Sequence, residues 1–158
     1  MRILDPEGVP TAGPPRLIPV RILFLCTGNI CRSPFAEVLA RQLNDRADLE
    51  FSSAGIIALS GNPASATGIA IAAELGVDMR GHRATHLTAE VLAACDLVYA
   101  MEDEHVGPVL ALDEGARVEL LSPDGLAIPD PYGGDHIEYS TNYGLIRQAL
   151  VHRLAELA

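Results

Sequence analysis

The 158-residue sequence contains no lysine and no tryptophan, and it holds only three phenylalanines, four tyrosines and three cysteines. All of its eleven basic residues are arginine, set against 21 acidic ones for a formal net charge of −10. The missing lysine is a composition bias of the source genome rather than a chemical signal. No basic stripe exists to neutralise a phosphate backbone, so nucleic acid is excluded as a partner. Cys26, Cys31 and Cys95 are too few and too irregularly spaced for a secreted disulfide framework. Asp and Glu interrupt every apolar stretch before it reaches the length of a membrane span, and the first residues, Met1-Arg2-Ile3-Leu4-Asp5-Pro6, carry no apolar signal core. The expectation is a cytoplasmic protein with reduced thiols, bound to no membrane. Its 49% apolar content with only 4% aromatic residues suits an α/β domain built on Val, Ile, Leu and Ala.

The chain divides into a short extension and one domain. Residues 1–18 are rich in proline (Pro6, Pro10, Pro14, Pro15) and show no period, which reads as a flexible N-terminal extension. Residues 19–158 are long enough for a single core. The apolar run 20–25 reads as a strand, and Phe35, Val38, Leu39 and Leu43 recur at helical spacing to about residue 46. A strand over 49–53, an Ala-rich helix over 64–75 ended by Gly76, and a short helix capped by Thr88 follow. The run 97–101 suits a buried parallel strand, 102–112 a helix, 117–121 the last strand, and Tyr139 through Leu157 a closing helix. Strands alternating with helices predict a four-stranded parallel sheet with helices on both faces, and ligands on such sheets bind at the carboxyl ends of the strands.

The stretch that carries chemistry lies directly after the first strand: Cys26-Thr27-Gly28-Asn29-Ile30-Cys31-Arg32-Ser33. A tight turn between a strand and a helix N-terminus directs backbone N–H groups and the positive end of the helix dipole at one point, which suits a tetrahedral oxyanion. A cysteine at its base is held as the thiolate by that field and a neighbouring guanidinium. An arginine at its rim offers a planar fork for two phosphate oxygens. Gly28 and Asn29 are the residue types that most readily take positive φ, and Ser33-Pro34 reads as a capping hydroxyl followed by the first helical residue. A thiol nucleophile that expels an alkoxide or phenoxide also needs a general acid. Asp130 is the candidate, on a loop stiffened by Pro129 and Pro131 with Tyr132 beside it as a wall. Taken alone the segment reads as an ordinary Asp-Pro turn, and the Cys26 loop is what favours the acid.

Cys26 through Ser33, followed by Pro34, Ala36 and Glu37, resembles the phosphate loop of the low-molecular-weight protein tyrosine phosphatases, and Asp130-Pro131-Tyr132 resembles that family's late acid loop. Ser53-Ala54-Gly55, His82-Arg83-Ala84 and the run Asp96 to Met101 match in order and spacing, so the likeness extends over residues 20 to 157. The resemblance implies a phosphatase acting on phosphotyrosine proteins or small aryl phosphates and binding phosphate- or vanadate-type oxyanions. It implies no cofactor and no metal. Cys26 would be the nucleophile, Arg32 the transition-state ligand, Ser33 a donor to the thiolate, and Asp130 the acid and then the base. The amides of Thr27, Gly28, Asn29, Ile30, Cys31 and Arg32 would complete the cradle, and Asn29, Ser53 and His82 would brace it. For His82 the other reading is a surface loop histidine. Cys31 falls at a family position whose thiol can pair with Cys26 under oxidation, and a small apolar filler is its other reading. Cys95 reads as a buried filler on a short helix.

The chain departs from that pattern in its pocket walls. Residues 56–60 hold no aromatic where many relatives carry one, Gly133 stands where a second Tyr is common, and Thr85 where an Arg is common. Two rival readings follow from the same loop. One is an arsenate reductase of this fold with a small-thiol partner. The other is a silent phosphoprotein-binding module, which would need the cradle but not the acid.

Overall fold

A computed structural model of the chain describes Pro6 and residues 18–157. The extension expected over 1–18 therefore lies outside the described residues, except for Pro6 and Ile18. Four strands, β1 (Val20–Cys26), β2 (Leu49–Gly55), β3 (Leu97–Ala100) and β4 (Val118–Leu120), form one parallel sheet in the order β2-β1-β3-β4. From β1 the chain first pairs to one side with β2, then crosses back to pair β3 on the other. β1 thus ends at the topological switch point, where a crevice opens outside the strand ends.

Five helices flank the sheet: α1 (Arg32–Leu43), α2 (Ala66–Glu74), α3 (Ala89–Ala93), α4 (Val106–Leu112) and α5 (His136–Glu156). The alternation of side chains along β1 sorts the core into two layers. Ile22, Phe24 and Cys26 face a layer shared with Phe35, Leu39, Tyr139, Tyr143 and Ile146 of α1 and α5. Leu23 and Leu25 face a smaller layer with Leu92 and Val109 of α3 and α4. The Phe35 and Tyr143 rings stack at 3.9 Å, locking α1 against α5. Of seven aromatic residues only Tyr132 lies outside this interior, at 67% exposure. Packing alone does not account for it there.

Several boundaries shift from expectation for local reasons. α1 starts at Arg32 rather than Pro34, so Ser33 is its second residue and makes no cap. Pro34 still fits, because a first-turn N–H has no intrahelical acceptor. The helix ends at Leu43. β2 runs on to Gly55, held by its ladder to β1 through Cys26. α2 begins only at Ala66, because Ser65 caps it by accepting the Gly68 N–H. The stretch after β3 opens not as α-helix but as a 3₁₀ turn over Asp103–His105, closed by reciprocal bonds between the Glu102 and His105 side chains and backbones. Asp135 caps α5, which starts at His136, three residues before the expected Tyr139. Cys95 lies beyond the end of α3 and is half-buried, its thiol donating to the Leu92 carbonyl at 3.1 Å. No described helix is long and apolar enough to cross a membrane.

Candidate active site

At the end of β1 the chain turns through residues 27–31 into the N-terminus of α1. Asn29 makes the turn possible, with φ at +55°, a value that Asn tolerates better than most side chains. Gly28, expected to share that role, has no positive φ. The Asn29 side chain also ties the loop together. Its Nδ2 donates to Ser33 Oγ at 2.7 Å and to Ser53 Oγ at 2.9 Å, and its Oδ1 accepts the Thr85 amide at 2.8 Å. His82 Nε2 donates to the Asn29 carbonyl at 2.7 Å, and Ser53 Oγ donates to the Glu37 carboxylate at 2.8 Å.

Ser33 Oγ accepts from Asn29 and has two acceptors within reach of its own hydrogen, Cys26 Sγ at 2.9 Å and the Ala54 carbonyl at 3.4 Å. The Asn29 amide donates to the same sulfur at 3.3 Å. A hydroxyl and an amide N–H therefore stand against one buried sulfur, and both can donate to it.

Arg32 is 1% exposed, an unusual burial for a guanidinium. Its Nη1 pairs with the Glu102 carboxylate and donates to the Ile128 carbonyl at 2.7 Å. Nη2 lies 3.4 Å from Thr27 Oγ1 and 3.8 Å from an Asp130 carboxylate oxygen. Nε is buried and has no protein acceptor among the described residues. A buried donor left open is costly, and a bound oxyanion would relieve it. Asp130 itself is nearly half exposed and accepts the Tyr132 amide at 3.0 Å, a short Asx turn that fixes the loop. Asn142 of α5 holds that loop from behind through the Pro129 carbonyl.

Cys26, Thr27, Gly28, Ile30, Cys31 and Arg32 form the floor of a cavity of about 180 Å³, with Asp130 and Tyr132 at its wall. All eight were singled out in the sequence. Asn29, Ser33 and Ser53 come together behind the floor, and His82 is hydrogen-bonded to the Asn29 carbonyl there. Ala58 and Leu59, at the expected place of an aromatic wall, do not line the cavity, and Leu59 points outward at 73% exposure. Cys31 lies between its two readings. Its buried thiol contacts Tyr139 Oη at 3.3 Å and donates to Ser65 Oγ at 3.6 Å. Burial pushes that thiol above its ordinary range, and the Tyr139 hydrogen bond only partly opposes this. All three cysteines are free. Among the described residues no group of three or more His, Cys, Asp or Glu is placed to hold a metal ion.

Sequence reasoning missed Glu37, which anchors Ser53, and the pair Glu102 and His105. The latter two follow directly on β3, at the carboxyl edge where the site lies, and an acidic residue three before a histidine was the available signal. His105 is wholly buried, accepts the Glu102 amide on Nδ1 at 3.1 Å, and places Nε2 3.0 Å from Thr27 Oγ1. Burial, reinforced by the Arg32 charge, pushes His105 down to about 4, so its ring is neutral at neutral pH.

Residues 21–158 match the sequence profile of the low molecular weight phosphotyrosine protein phosphatases. The chain is 38% identical over 132 residues to the low molecular weight protein-tyrosine-phosphatase Etp of Escherichia coli K12, covering 81% of this chain and 88% of that one. Among solved structures, Vibrio vulnificus Wzb in complex with benzylphosphonate aligns with a TM-score of 0.82 at 31% identity, over 87% of this chain and 98% of the other. The YwlE arginine phosphatase from Geobacillus stearothermophilus aligns with a TM-score of 0.78 at 33% identity, over 87% and 92%.

Proposed function

The chain belongs to the low molecular weight phosphotyrosine protein phosphatase family, and we propose that it hydrolyses phosphotyrosine and other aryl phosphate monoesters through a phosphocysteine on Cys26. The observation that carries this reading is the convergence of Ser33 Oγ and the Asn29 amide on Cys26 Sγ, at the floor of a cavity that Arg32 and Asp130 also line.

In the first step the Cys26 sulfur attacks phosphorus while the bond to the phenolic oxygen breaks. The Asp130 carboxyl proton passes to the leaving oxygen. Arg32, with its open Nε, matches the charge spread over the equatorial oxygens. Glu102 and the Ile128 carbonyl hold the guanidinium so that little reorganisation is needed. In the second step the Asp130 carboxylate takes a proton from water, the water oxygen bonds to phosphorus, and the S–P bond breaks. Ser33 and the Asn29 amide then receive the sulfur as thiolate, which makes it a better leaving group.

The cavity wall favours an aromatic leaving group. Ile30 and Tyr132 offer apolar faces, and Asp130 is the one carboxylate lining the space. A guanidinium leaving group, as in the relative named an arginine phosphatase, would ask for more acceptors than this wall presents. The test is turnover of para-nitrophenyl phosphate and a phosphotyrosine peptide in the presence of EDTA, beside phosphoarginine and arsenate. Aryl ester hydrolysis that Cys26→Ser abolishes while phosphate still binds supports the reading. Faster hydrolysis of phosphoarginine, reduction of arsenate alone, or binding without turnover each overturns it.

A further inference from the structure

One buried group beside the cavity has no part in the chemistry above. His105 is wholly buried on the turn after β3, and both ring nitrogens are engaged. The partner of Nδ1 is the Glu102 backbone N–H, at 3.1 Å, and an amide N–H can only donate. Nδ1 therefore carries no proton, and the neutral ring holds its proton on Nε2. That proton points at Thr27 Oγ1, 3.0 Å away. Arg32 Nη2, which also can only donate, stands 3.4 Å from the same oxygen. The Thr27 oxygen thus faces two donors. Its own hydrogen has to find an acceptor elsewhere, and the described residues supply none. Thr27 lines the cavity next to Cys26.

The geometry points to His105 as a positioning residue that fixes the Thr27 hydroxyl as a donor to the phosphoryl group bound over Cys26. The inference rests on the phosphatase reading above and adds a side-chain donor to a cradle otherwise built from backbone amides and Arg32. It also gives the Glu102–His105 turn a single purpose. One end of that turn holds Arg32 and the other orients Thr27, so β3 carries the element that aligns both donors. Burial keeps the ring neutral at neutral pH, so Nδ1 remains an acceptor for the Glu102 amide and the ring stays fixed with Nε2 toward Thr27.

The experiment uses substitutions that separate the two ring contacts. His105→Gln places an amide nitrogen near the Nε2 position and keeps the donor to Thr27. His105→Asn places its oxygen near the Nδ1 position, keeping the acceptor for the Glu102 amide and losing Thr27. Turnover of para-nitrophenyl phosphate should fall roughly 10- to 100-fold in His105→Asn and in Thr27→Val, since one hydrogen bond to a charged group is lost. His105→Gln should recover most of it, and Thr27→Ser should turn over faster than Thr27→Val. The double variant Thr27→Val/His105→Asn should be no slower than Thr27→Val alone. A role confined to capping the turn reverses the order of Asn and Gln and makes the double variant additive. Either result overturns the inference. Should neither His105 variant fold, equal turnover in Thr27→Val and Thr27→Ser overturns it instead. An inactive wild-type protein overturns the phosphatase reading itself, whereas an active one with the variants in the wrong order overturns only the inference.

Discussion

Gly55 at the end of β2 lies directly beneath Thr27, so that a methyl group added there would sit 2.6 Å from the Thr27 carbonyl oxygen and 2.8 Å from the Asn29 nitrogen. Both obstacles are backbone atoms of the phosphate loop, which cannot swing aside as a long side chain does. The strand end therefore acts as the floor on which the loop is set. Gly55→Ala should lift the loop, lower stability by about 1–3 kcal/mol as overpacking does, and reduce turnover by more than about tenfold, since small misplacements of reacting groups are costly. Thermal melting and kcat measured on the same sample check this. Unchanged turnover would mean that the loop accommodates the methyl group.

Asp130 offers a second test, because a proton donor is needed most when the leaving group is a poor one. Asp130→Asn should slow hydrolysis by about 10²–10⁴-fold for phenyl phosphate. The loss should shrink steadily across a series of more acidic phenols. A loss of constant size across the series would assign the role of Asp130 to its charge beside Arg32 rather than to proton transfer.

Acid stability should report on His105. In the folded protein burial holds this histidine near 4, while in the unfolded chain it returns to about 6.5. Between those values the unfolded state binds more protons, so stability falls as the pH drops through that window. The loss from this one group should reach about 2–3 kcal/mol by the lower end. Urea midpoints measured from pH 7 to pH 4.5 should therefore decline in the wild type and decline less steeply in His105→Gln. Parallel slopes would show that other groups govern the acid limb.

The sequence carried most of what the sheet and the cradle require. The run over 20–25, apolar but for Arg21, reads as a strand, and the residues from Cys26 to Ser33 are contiguous, so their grouping is legible without knowing the fold. Asp130 was legible because its flanking prolines mark a stiff loop. What escaped notice depends on partners far away in the chain. Glu102 meets Arg32 across 70 positions and His105 meets Thr27 across 78, and no local pattern encodes either meeting. Ser33 shows the same limit in reverse. Its sequence context reads as a helix cap, but the demand of Asn29 and Cys26 for a hydroxyl places it inside the first turn. That residues 56–60 hold no aromatic was legible, whereas that none of them lines the cavity depends on the path of the chain after β2.

The hold of α5 on the cradle reaches beyond the finished molecule. Tyr143 donates to the Cys31 carbonyl at 3.0 Å and stacks on Phe35, Tyr139 touches the Cys31 thiol, and Asn142 anchors the acid loop. Tyr139 and Tyr143 follow Cys31 by more than a hundred residues, and Asn142 between them follows Pro129 by 13. On the ribosome the nucleophile emerges long before α5 is made. The nascent protein therefore exposes Cys26 ahead of the helix that braces its loop, and a message truncated before α5 should yield a product without these contacts, although it encodes every residue that lines the cavity.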